Sequence, residues 1–207
     1  MQHYLFDYHV GQHSRIDMVD YEGRNQHTVA SGDYENVVPN FSRDGKSVYF
    51  ASNRTRDWQI WKRDLTSGQE TRVTRHGGLL AIESYDGRTI YYSKMEGGGL
   101  WSIPVSGGPE ELVTSALHRG YWGHFAVTDA GIYLLDVDAT PRPTIMYYSF
   151  QTRTLAPVLQ VEEQPYPWVA NLSASRDGLI LLFAQWTPQS QIEMVENRPP
   201  PSGKLGN

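Results

Sequence analysis

Nine side chains in this sequence have the chemistry to hold a partner, and they fall in a few short stretches. Arg54 and Arg56 stand just before Trp58. Arg75 and His76 precede Gly77-Gly78. His118, Arg119, Trp122 and His124 share the segment His118-Arg119-Gly120-Tyr121-Trp122-Gly123-His124, and Trp168 closes Gln164-Pro165-Tyr166-Pro167-Trp168. Guanidinium and imidazolium groups make charge-assisted hydrogen bonds to carboxylates and phosphates, and exposed indoles supply contact area. The set suits an anionic or peptide partner. The plainer assignment is that these are ordinary loop residues, with Trp122 and Trp168 packing between layers of structure.

Other chemistry is poorly supported. The chain has 7 His, but His118 and His124 lie six apart on a Gly-interrupted loop, which matches no standard ligand spacing, so no metal and no cofactor is expected. A Ser-His-Asp hydrolase needs a Gly-x-Ser-x-Gly elbow on an α/β segment. None is present, and Ser106-Gly107-Gly108 and Thr66-Ser67-Gly68 read as hairpin turns. The adjacent pairs Glu110-Glu111 and Glu162-Glu163 point apart on a strand, so they read as solvated carboxylates without an acid–base role. No catalytic residue is assigned, and the expectation is a protein that is not an enzyme.

The elements that position the nine residues are strands. Phe41-Ser42-Arg43-Asp44-Gly45-Lys46-Ser47-Val48-Tyr49-Phe50 reads as strand, tight turn, strand. Gly supplies a positive φ without steric cost, and Asp tolerates the turn. Val48-Tyr49-Phe50-Ala51 has no polar residue, which suits a strand buried on both faces. Gln59-Ile60-Trp61-Lys62 and Glu70-Thr71-Arg72-Val73-Thr74 follow as further strands.

The unit then recurs. Asp86-Gly87 and Asp177-Gly178 repeat the turn, and Thr128-Asp129-Ala130-Gly131 is a weaker copy. Counted from their glycines, successive turns lie 42 to 47 residues apart, the spacing of a four-stranded propeller blade. The third strand keeps step at Ile16, Ile60, Leu100, Ile145 and Ile192. No helix of normal length is expected, and residues 136–143 and 164–168 read as proline-containing loops.

The predicted fold is therefore all-β, a β-propeller of four-stranded antiparallel blades. Residues 1–197 form one domain: a partial blade at about 1–30, blades at 31–74, 75–114 and 115–160, and a partial blade at 161–197. Residues 198–207 form a Pro/Gly-rich tail. The two partial blades either combine or belong to a larger ring. The larger ring is preferred, because an open propeller leaves unpaired edges, through which self-association would also run. In such a ring, loops from strand two to three and from strand four to the next blade share one face. All nine candidate residues fall there.

Bulk properties set outer limits. With 207 residues, the chain is long enough for one sizeable core. A formal net charge of -5 argues against a general nucleic-acid surface. The absence of Cys excludes disulfides and thiolate sites. No run of about eighteen apolar residues is present, and residues 1–9 lack the basic start and apolar run of a signal peptide. The compartment stays open between periplasm and cytoplasm.

Residues 41–74, with Ser-Arg-Asp-Gly-Lys, Tyr49-Phe50-Ala51-Ser52-Asn53-Arg54 and Ile60-Trp61, resemble the TolB-type WD-like repeat, and the likeness extends over nearly the whole chain. Gly99-Leu100-Trp101, and the C-terminal Ile192-Glu193-Met194-Val195-Glu196-Asn197, are similar to the C-terminal propellers of bacterial ToxR/CadC-type winged-helix regulators. The resemblance implies a binding or sensor module for a protein or small ligand, within a larger regulator or envelope protein. Winged helix, recognition helix and membrane span are missing here, so DNA binding does not carry over. Similar propellers also accompany prolyl-oligopeptidase-type hydrolases and form metal-dependent lyases of pectate fragments, which are the alternatives.

Overall fold

The computed structural model describes residues 3–163, 165–185 and 191–196. The tail at 198–207 and Gln164 of the second proline loop lie outside them. Five antiparallel sheets follow one another along the chain. The first holds β1 (His3–Val10), β2 (His13–Asp20) and β3 (His27–Ala30). The second holds β4 (Asn36–Phe41), β5 (Ser47–Thr55), β6 (Asp57–Asp64) and β7 (Glu70–Arg72). The third holds β8 (Ala81–Glu83), β9 (Thr89–Ser93), β10 (Leu100–Pro104) and β11 (Glu111–Thr114). The fourth holds β12 (Phe125–Val127), β13 (Gly131–Asp136), β14 (Thr144–Ser149) and β15 (Leu155–Gln160). The fifth holds β16 (Leu172–Ala174), β17 (Ile180–Gln185) and β18 (Gln191–Glu196). Among the described residues there is no helix. Within each sheet, strands adjacent in sequence pair with each other.

One turn chemistry opens three of the sheets. The Ser42 hydroxyl donates to Asp44 Oδ1 at 2.7 Å and accepts the Ser47 N–H at 2.9 Å, while Asp44 Oδ1 also accepts the Lys46 N–H at 3.0 Å. Ser84 and Asp86 repeat this before β9, and Ser175 and Asp177 repeat it before β17. The glycine after each Asp has φ near the left-handed region, 69° at Gly45 and 73° at Gly178, where only glycine is free of strain. The recurring aspartates are thus turn formers. The Ser42 hydroxyl and the Lys46 N–H hold the Asp44 carboxyl below its ordinary range.

The core lies between sheets, in four layers. Ile16, Met18, Val48 and Phe50 fill the first. Tyr49, Ile60, Ile90 and Tyr92 fill the second. Leu100, Phe125, Ile132 and Leu134 fill the third, and Tyr133, Leu135, Ile145 and Phe183 the fourth. Strand β5 shows the period-2 logic directly, since Val48 and Phe50 enter one layer and Tyr49 the next. That is why the run carries no polar residue, and why residues 48–51 are all 0% exposed. Each sheet packs on its successor mainly through its first strands. Because connections alternate between strand ends, β5–β6, β7–β8, β11–β12 and β15–β16 emerge on one face. The Ser-x-Asp-Gly turns emerge on the other.

Candidate functional site

The nine candidate residues separate into three situations. Arg54 lies at the end of β5, but its guanidinium is taken up inside the second sheet. It donates to Glu70, to Asn36 Oδ1 at 3.0 Å and to Ser52 Oγ at 3.2 Å. It also stacks 4.5 Å from the Trp61 ring and 4.6 Å from Tyr34. Every face of the fork is engaged within the fold, so Arg54 supports its sheet. Its neighbour Arg56, in the tight β5–β6 turn, is exposed with φ 79°.

Arg75 and His76 sit in the β7–β8 connection, exposed, and a single carboxylate fixes their backbone. Glu110 Oε1 accepts the Arg75 N–H at 2.6 Å and the His76 N–H at 3.3 Å. Glu110 Oε2 accepts the Tyr92 hydroxyl at 2.9 Å and lies 3.7 Å from Lys94 Nζ. This corrects the expectation that Glu110 is solvated, since its side chain is 8% exposed. Burial alone would raise its pKa, but the Arg75 N–H and the Tyr92 hydroxyl hold it below the ordinary value. Burial lowers the Lys94 pKa despite Glu110. Lys94 also caps the Trp101 ring at 3.4 Å.

The remaining residues come together where the β11–β12 and β15–β16 loops meet. The Trp168 N–H donates to the Gly120 carbonyl at 2.5 Å, and the indole covers Gly120. Trp168 has φ 68°, a left-handed backbone that costs a bulky residue about 1–3 kcal/mol and persists only where surroundings impose it. Trp168 is 51% exposed, beside Tyr166 at 56% and Val169 at 36%. The loop thus presents an aromatic–aliphatic knuckle, which Pro165 and Pro167 help to set. Charges surround it: Arg119 pairs with Glu96 at 2.9 Å, and His118 lies between Asp136 at 3.2 Å and Asp138 at 3.0 Å. The two basic groups that suggested an anionic ligand are therefore already met by three carboxylates.

Trp122 and His124 face inward. Trp122 packs on the third core layer. His124 is 1% exposed, and neither ring nitrogen has a hydrogen-bond partner among the described residues. Burial pushes its pKa down to about 4, so the ring is neutral at pH 7. Its edge meets Tyr121, with centroids 5.2 Å apart. The order along the segment explains the split, because His124 immediately precedes β12 and enters the core with it.

Sequence reading missed Glu110, Tyr166 and Val169. A doublet of glutamates carries no sign of which one turns inward. Tyr166 and Val169 flank a residue that was identified, and the proline spacing around Tyr166 was the available signal.

Five antiparallel sheets that share core layers in succession, each entered by a two-strand hairpin, define a β-propeller. No family model matches the chain. An uncharacterised protein of Agrobacterium fabrum is 29% identical over 103 residues, which cover 48% of this chain and 35% of that protein. TolB from Acinetobacter baumannii superposes with a TM-score of 0.76 at 16% identity, over 93% of this chain and 48% of that one. An oligogalacturonate lyase from Vibrio parahaemolyticus superposes with a TM-score of 0.59 at 13% identity, over 91% of this chain and 54% of the lyase. The chain thus spans about a third of the curated relative and about half of TolB. At these identities, the likeness is one of fold, and TolB-type propellers are among its structural neighbours. Among the described residues, no helix is long and apolar enough to cross a membrane.

Proposed function

We propose that this propeller is a non-enzymatic docking module that engages a protein through its loop face, with Trp168 and Tyr166 as anchors. The observation that carries this is the Trp168 loop itself. A large aromatic is held half out of the fold, on a left-handed backbone, by its own N–H and by contact with Gly120. Preorganised aromatics at the centre of a ring of charges are the usual anchors of protein interfaces. The charged rim of Arg119, Glu96, His118 and Asp138 carries both signs, which suits register and specificity for a polar protein surface. Arg75, His76 and Arg56 extend the same face. The sequence resemblance at Gly99-Leu100-Trp101 to the C-terminal propellers of ToxR/CadC-type regulators, a class that includes none of the structural neighbours named above, is the ground for proposing that such a module belongs to a longer regulator or envelope protein.

The test is quantitative affinity capture with the purified chain, in parallel with Trp168→Ala and Tyr166→Ala. A partner retained by the parent and reduced at least tenfold by either variant supports the reading, since loss of a central anchor costs about 2 kcal/mol or more. Partners retained equally by parent and variants would place docking elsewhere.

A further inference from the structure

A cavity of about 640 Å³ opens on the face opposite the candidate loops, between the third and fourth sheets. It begins where the third core layer ends. A stacked pair reaching across the two sheets lines it, Tyr91 and Phe150, with centroids 5.3 Å apart and planes at 12°. Arg176 also lines it, paired through both Asp129 oxygens and lying over the Tyr85 ring at 5.0 Å. The volume falls within the roughly 300–1,000 Å³ of small-molecule sites.

Several of the polar groups that line this cavity are half-exposed and free of hydrogen-bond partners among the described residues. The side chains of Thr89, Ser102, Tyr91 and Tyr148 line it, and none makes a hydrogen bond to another described residue. Two charges are also left over. Glu111, on β11, and Arg153, in the β14–β15 turn, both line the cavity, and neither has an ion-pair partner among the described residues. The other charges there are engaged: Arg176 with Asp129, and Asp86 with the Ser84 hydroxyl and the Arg88 N–H.

We infer that this inter-blade cavity binds a small zwitterion of dipeptide size, with Glu111 taking its ammonium group and Arg153 its carboxylate. A carboxylate and a guanidinium that line one cavity, neither in an ion pair among the described residues, are complementary to a ligand carrying both charges at separate ends. The four hydroxyls lining the same cavity can donate to and accept from a peptide group, and the stacked Tyr91–Phe150 pair accommodates an apolar side chain. An uncharged polyol would use the hydroxyls but leave both charges unmet. This inference is independent of the loop-face proposal, because it uses the other face and other residues.

The experiment is calorimetric titration of the full chain with free dipeptides such as alanyl-tyrosine, with their N-acetylated and C-amidated forms, and with maltose. Free dipeptide is expected to bind, and each cap to weaken it about tenfold, the scale of one charge-assisted hydrogen bond. In Glu111→Gln the N-acetyl cap is expected to have no further effect, and in Arg153→Gln the amide cap none. Both residues are exposed and unpartnered, so the variants are expected to melt with the parent. Binding of doubly capped peptide as tightly as free peptide would overturn the inference. So would binding of maltose alone, caps acting equally on parent and variants, or no binding of any dipeptide at millimolar concentration.

Discussion

The Tyr92 hydroxyl donates to Glu110 across 2.9 Å, and the same carboxylate holds the backbone of Arg75 at 2.6 Å. One buried acid therefore ties the third sheet to the loop that presents Arg75 and His76. Glu110→Ala is expected to cost about 3 kcal/mol at neutral pH, the lower end for breaking a buried pair, because Lys94 is left uncompensated in a buried site. Its folded pKa lies below the ordinary carboxylate value, so its contribution is complete above that value and is lost as pH falls through the folded pKa. Urea unfolding of the variant, alone and with Lys94→Met, measures this. A cost below about 1 kcal/mol would show that Glu110 is not what fixes the loop, since surface changes fall within that range.

Arg54 and Arg56 stand two apart and should respond in opposite ways. Arg54 combines bonds to Asn36, Ser52 and Glu70 with stacking on Trp61. Lysine cannot reproduce that planar fork. Arg54→Lys is expected to destabilise the chain by about 2 kcal/mol, the scale of losing charge-assisted bonds, and to leave the loop face competent after correction for folding. Arg56→Ala is expected to lie within about 0.5 kcal/mol of the parent, as exposed sites do. Chemical denaturation of both variants decides the matter, and equal effects would refute the assignment of Arg54 to the fold.

His124 should make the protein sensitive to mild acid. Its pKa falls on burial from the ordinary imidazole value of about 6.5 to about 4. The unfolded chain therefore binds a proton more readily between those limits, and stability decreases as pH falls from 6.5 towards 4. Integrated over that window, the loss approaches about 3 kcal/mol. His124→Leu removes two buried nitrogens that have no partner, so it is expected to be neutral or stabilising at pH 7. The difference between parent and variant should widen from pH 7 to pH 4.5. Parallel denaturation curves with a constant difference would mean that the ring titrates outside the window.

The sequence made the architecture legible because the turns are local. Ser42, Asp44 and Gly45 complete their bonds within six residues, so their recurrence at Ser84-Tyr85-Asp86-Gly87 and Ser175-Arg176-Asp177-Gly178 is visible in the chain itself. Alternation along β5 likewise announces two buried faces. The site was legible only in outline. Arg75 meets Glu110 at a separation of 35 residues, and no spacing rule links a loop arginine to one member of a glutamate doublet. His124 and His118 look alike in sequence, yet the start of β12 draws one into the core and leaves the other between two aspartates. The inter-blade cavity left no trace, because Thr89, Ser102 and Tyr148 lie on three strands and only their packing leaves them unpaired.

Gly123 offers a way to disturb the candidate face without touching any of its side chains. A Cβ built there would lie 2.4 Å from the Ala170 Cα and 2.8 Å from the Ala170 nitrogen. Both are backbone atoms of the loop carrying Trp168, so the collision cannot be relieved by rotating a side chain. Gly123→Ala must push the β11–β12 and β15–β16 loops apart, breaking the Trp168–Gly120 bond. Overpacking of this kind costs about 1–3 kcal/mol. Gly107→Ala is the comparison: no heavy atom lies within 4 Å of the added carbon, although its φ of 85° still carries backbone strain. If the two variants lose similar stability, a difference in partner retention between them isolates the loop geometry. Gly123→Ala is expected to blue-shift Trp168 fluorescence less than the parent on binding and to weaken retention, while Gly107→Ala retains the partner. Equal retention by both would mean that docking does not need the Trp168 loop in its observed position.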